Sequence, residues 1–102
     1  MNMTLREYLM DQLYSGKFLT GEELNGVGDL YRSKCGGACV YGHTANYYGI
    51  KPFEVESEFA KASGKDSEVP IRLNDEHQFM EAIDMVVDAL DMNDYSRDYF
   101  LN

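Results

Sequence analysis

Asn74-Asp75-Glu76-His77-Gln78-Phe79-Met80-Glu81-Ala82-Ile83-Asp84-Met85-Val86-Val87-Asp88-Ala89-Leu90-Asp91 holds the longest clean apolar face in the chain. Phe79, Ile83, Val86, Val87 and Leu90 recur at three- and four-residue intervals, the repeat of one side of an α-helix. Glu81, Asp84, Asp88 and Asp91 fall elsewhere on the same helix. Asn74 reads as its N-cap, with Asp75 and Glu76 in a first turn where the backbone dipole favours negative charge. A helix with one apolar side must bury it against neighbours, and the rest of the chain offers short ones.

Thr4-Leu5-Arg6-Glu7 is a capping box, and Leu5, Tyr8, Leu9 and Leu13 continue it as an apolar stripe that stops at Gly16. Thr20-Gly21-Glu22-Glu23 is a second box, opening a helix through Leu24, Val27 and Tyr31 that Gly26 and Gly28 weaken. A third helix is expected from Cys39 to about Tyr48, broken by Gly49. Pro52 suits the first turn of a fourth, carrying Phe53, Val55 and Phe59 to Gly64. Val69-Pro70-Ile71-Arg72-Leu73 alternates and reads as extended, an edge strand because Pro70 bars a central one. The expected fold is therefore mainly α: one domain over residues 1–102, four to five short helices, one short edge strand.

The chain has 102 residues and a formal net charge of −9, from 18 acidic and nine basic side chains. Non-specific nucleic-acid binding draws its affinity from Lys and Arg on phosphates, so this balance argues against direct DNA or RNA contact. It favours a basic partner instead, such as the nucleic-acid channel of another protein. No apolar run approaches the ~18 residues of a membrane span. The stretch Met1–Glu7 has no apolar signal-peptide core, so a cytoplasmic location is expected, that of the host cell if the chain is phage-encoded.

Cys35-Gly36-Gly37-Ala38-Cys39-Val40-Tyr41-Gly42-His43 concentrates three of the four Cys and His residues of the protein. Thiolate sulfur and imidazole nitrogen are the ligands zinc prefers, in a tetrahedron. Cys39 and His43, four apart on a helix, share a face, and Gly36-Gly37 lets the backbone bring Cys35 back to them. His77 is the expected fourth ligand, with Asp29, Asp75 and Glu76 as substitutes. No Glu stands beside His43 as a general base, so the expected zinc is a structural staple, not a catalytic centre. Two small buried thiols beside an exposed histidine are the plain alternative.

Ala45, Gly49, Ile50 and Val55 match the small, turn and buried positions of a helix-turn-helix. Glu54, Glu56 and Glu58 on its second helix would face phosphates in a major groove, which turns that shape toward protein contacts. Asp84, Asp88 and Asp91 follow at four- and three-residue spacing, with Asp94 beyond, so the first three line one face at roughly 5–6 Å intervals. Glu54, Glu56, Glu58, Asp84, Asp88, Asp91 and Asp94 are the candidate partner contacts.

In size, charge and lack of a catalytic signature the whole chain resembles the small acidic anti-CRISPR proteins of phages and mobile elements, the type II inhibitors that bind Cas9. The resemblance implies a DNA-mimicking inhibitor, not an enzyme. It implies binding to a nuclease such as Cas9 and blocking of DNA loading or target binding. A helix-turn-helix-like regulator and an acidic adaptor module are the alternatives.

Overall fold

A computed structural model describes residues 3–25, 31–33 and 36–91. Six helices occupy them: α1 (Leu5–Tyr14), α2 (Gly21–Leu24), α3 (Val40–Tyr48), α4 (Pro52–Ser63), α5 (Glu68–Asp75) and α6 (Phe79–Asp91). Both capping boxes form. Thr4 Oγ1 accepts from the Glu7 amide at 3.1 Å while Glu7 accepts from the Thr4 amide at 2.8 Å, and Thr20 and Glu23 repeat the exchange. α4 runs as expected, from Pro52 in its first turn to a left-handed Gly64.

The final helix is shorter than its sequence suggests, and the edge strand is absent. Val69–Leu73 lies within α5, where Pro70 sits in the first turn and has no intrahelical hydrogen bond to lose. α5 closes in a Schellman turn: the His77 amide donates to Asn74 O at 3.1 Å and the Gln78 amide to Leu73 O at 2.9 Å. His77 takes the left-handed position, with φ 62°, so it lies in a reversal between two helices, not in the first turn of α6. Asn74, read as a cap for α6, belongs to α5. Extended pairing elsewhere includes two isolated bridges in which Ala38 joins Phe18 on one side and Arg32 on the other.

α3 is the buried axis. Val40 to Ala45 and Tyr48 are all buried, and the hydroxyls of Thr44 and Tyr41 find carbonyl partners nearby. Thr44 Oγ1 donates to Val40 O at 2.8 Å, and the Tyr41 hydroxyl donates to Ser67 O at 2.7 Å. Gly42 is obligatory: a Cβ there would stand 2.3 Å from the Tyr31 carbonyl oxygen, which accepts from the Cys39 amide at the helix entrance. α6 buries Ala82, Ile83, Val86, Val87, Ala89 and Leu90 against α1, α3, α4 and α5. Phe53, expected on the apolar side of α4, is 58% exposed.

Cys39 is the N-cap of α3 but makes no side-chain capping bond. Asn74 supplies it from α5. Its Oδ1 accepts from the Val40 amide at 3.0 Å, and its Nδ2 donates to Leu19 O at 2.9 Å. The side chain is fully buried, so water cannot replace either bond. Asn74→Ala should cost roughly 2–4 kcal/mol in urea unfolding, because one deletion orphans the buried Val40 amide and also takes the donor from the Leu19 carbonyl. A loss under about 1 kcal/mol would mean that the latch is not needed.

Candidate functional site

The cysteine–histidine cluster expected to hold zinc is described only in part. Cys35 and the substitute ligand Asp29 lie outside the described residues. Cys39 is 5% exposed, and burial pushes its thiol up to about 11, against the pull of backbone amides at the start of α3. A thiol in that state is inert until a cation displaces its proton.

His43, one turn along, is completely buried, with its ring stacked 4.8 Å from that of Phe18. Its Nε2 lies 2.7 Å from Lys17 O. A carbonyl only accepts, so Nε2 carries the proton and Nδ1 is a bare lone pair. Nδ1 has no hydrogen-bond partner among the described residues. Burial, the first cause, holds the imidazole below its ordinary pKa, and the nearby Lys17 charge adds to the effect. The plain alternative of an exposed histidine therefore fails: His43 is an interior one.

His77 is exposed on the α5–α6 reversal, its ring 5.5 Å from Phe79. Phe79 in turn meets Phe18 at 5.4 Å, so the two histidines are joined through two phenyl rings. Asp75 caps α2 instead, accepting from the Gly21 amide at 2.7 Å, and Glu76 is exposed at the end of α5. Among the described residues no three His, Cys, Asp or Glu side chains converge as a metal site.

The acidic candidates divide differently. Asp84 and Asp88 are exposed on α6, and Arg6 of α1 reaches both, hydrogen-bonding Asp84 and lying 4.0 Å from Asp88. Glu56 accepts from the Tyr31 hydroxyl at 2.5 Å, and Glu58 pairs with Lys61 at 3.5 Å. Glu54 lines a hollow of about 510 Å³ at the α3–α4 turn, alongside Arg32 and Lys51. Asp91 is the last residue of α6, and Asp94 lies outside the described residues. A free row of acids was expected; of the five whose side chains are described, Asp84, Asp88, Glu56 and Glu58 already have an intramolecular partner. Arg6 is 78 positions from Asp84, and no local pattern announces that contact.

Helix-turn-helix features are present at the same turn. Ala45 and Val55 are buried, Gly49 is left-handed and Ile50 is half-buried. Half-buried Glu54 and Glu58 accompany them, so α4 does not offer the cationic face that phosphates require. A second hollow, about 410 Å³, opens between the end of α4 and α6. Glu81 lines it and was not among the sequence candidates, although it stands one turn before Asp84. Comparison with protein-family models, with curated proteins and with solved structures finds no match to this chain.

His43 makes the fold acid-sensitive. An unfolded imidazole takes up a proton near pH ~6.5, whereas the buried one does so lower. The unfolded state therefore binds more protons in that window. The stability due to neutral His43 is complete above about pH 7 and falls as the pH drops toward the folded pKa. Urea midpoints of metal-free protein in chelator should decline between about pH 7 and 5, and His43→Leu should flatten that slope. Equal slopes for the two proteins would rule out a buried neutral imidazole.

Proposed function

We propose that this chain acts by binding, as a phage-type inhibitor that docks an acidic surface on a basic nucleic-acid-binding protein. The partner suggested by the resemblance in size and charge is a host defence nuclease such as Cas9. Occupation of its DNA channel would block DNA loading or target binding. The observation that carries the reading is the disposition of charge. The net charge is −9, and no described carboxylate is buried, so the excess is displayed at the surface.

The α6 row is the firmest part of that surface. Asp84 and Asp88 project from a helix whose other side is locked into the core, so a partner meets carboxylates on a rigid support. Their contact with Arg6 is solvent-exposed and contributes little to stability, so a partner's cations can compete for the same oxygens. Charge reversal of Asp84, Asp88 and Asp91 together should weaken inhibition of target binding at least about tenfold at low salt, with a smaller effect at high salt. Inhibition that survives the triple reversal unchanged would remove the acidic face from the mechanism.

A structural zinc is part of the proposal. Its ligands would be Cys39, the free Nδ1 of His43, Cys35 and, from the α5–α6 reversal, His77. Support comes from His43: a buried lone pair without a partner, one turn from a buried thiol, is a donor set that a soft cation satisfies. Bound there, zinc would supply no chemistry beyond holding the entrance of α3 in place. Metal analysis of the purified full chain should give about one zinc per molecule, lost in Cys35→Ser and His43→Leu and reduced in His77→Ala. Protein that contains no zinc, or equal zinc in all three variants, would end the staple.

A further inference from the structure

We infer that the groove between the end of α4 and α6 docks a cationic amphipathic segment of a partner protein. Such a segment would set an apolar side chain on Ala62, Met85 and Ala89 and direct a Lys or Arg to Glu81 and Asp88. The inference rests on the acidic-surface reading above and narrows it to one place.

The groove holds about 410 Å³. Its floor is low because alanines stand at 62 and 89, and half-buried Met85 between them is a side chain that repacks around whatever it meets. Along one wall Glu81, Asp84 and Asp88 occupy successive turns of α6, so the row spans roughly 10 Å at 1.5 Å per residue. Cations one or two turns apart on a facing helix match that spacing. Arg6 shows that the row accepts a guanidinium, since it binds Asp84 and approaches Asp88. Glu81 has no ion-pair partner among the described residues. Lys65 stands at the other side of the groove, so the occupant's cation belongs on the α6 side.

Charge decides between occupants. A second copy of this chain carries −9 and would be repelled. The chain's own last residues follow α6 directly, and they bring Asp94 and Asp98 against a single Arg97. A basic partner segment meets neither objection, and the combination of a small apolar floor and an acidic wall is a helix-in-groove arrangement.

The test uses the full chain and a fluorescein-labelled 18-residue Leu/Lys amphipathic peptide, with a Leu/Gln peptide of the same pattern as control, read by anisotropy at low and moderate salt. The Leu/Lys peptide should bind and the Leu/Gln peptide should not. Glu81→Lys and the groove-filling Ala62→Trp should each weaken binding about tenfold or more, while Glu22→Lys, the same charge change on α2, should alter it less than about twofold. If Ala62→Trp melts early, Ala62→Leu fills less of the groove and should give a smaller loss in the same direction.

Equal weakening by Glu22→Lys and Glu81→Lys, with no effect at position 62, would overturn the groove and leave a diffuse acidic surface standing. Failure of the wild type to bind would overturn both. Tighter binding by the combined Tyr95→Ser, Tyr99→Ser, Phe100→Ser variant would mean that the chain's own tail fills the groove, which also overturns the inference.

Discussion

One buried amide side chain holds three parts of this structure in register. Asn74 lies at the end of α5, yet it caps α3 and also fixes the segment that follows Phe18. Each bond is modest on its own. Their importance comes from burial, because a donor or acceptor that loses its partner in the core has no water to turn to. Other distant backbone groups meet around this point. Tyr31 O receives the Cys39 amide, Gly42 leaves room for that approach, and Lys17 O receives the His43 ring. The entrance of α3 is thus assembled from four distant segments.

That assembly explains why the cysteine–histidine cluster and the acidic surface have different characters. The first is interior. His43 and Cys39 are desolvated, which disfavours charge on either and leaves Nδ1 unpartnered. The second is wholly peripheral. No described carboxylate is buried, and among the candidate contacts Asp84, Asp88, Glu56 and Glu58 bond Arg6, Tyr31 or Lys61. A net charge of −9 on so small a body gives a long-range field toward basic partners. On the proposed reading, specificity would come from shape, and the α4–α6 groove is where an apolar floor and an acidic wall coincide.

The local grammar of the chain was largely legible. Both capping boxes, the Pro52 start, the Gly49 and Gly64 stops and the apolar face from Phe79 to Leu90 all appear in the fold. These signals act within one or two helical turns, so neighbouring residues suffice to read them. Misreadings include the second helix, expected through Tyr31 but ending at Leu24, and exposed Phe53, and two more fall between residues 69 and 78. Pro70 suggested an edge strand, yet proline is also at home in the first turn of a helix. His77 replaced the glycine usual at a left-handed helix end, so the stop between α5 and α6 carried no familiar mark. Two helices therefore looked like one strand and one longer helix.

By itself the sequence determined the helical class, the acidic excess and which residue types gather near Cys39. These follow from composition and short-range periodicity, which survive any arrangement of the helices. Only the tertiary structure decided that Asn74 caps a helix 34 residues earlier, that His43 is interior and His77 exposed, and that Arg6 grips the α6 row. Each of those facts joins segments far apart in the chain. Their partners are chosen by burial and packing geometry, and neither leaves a trace in the spacing of neighbouring residues.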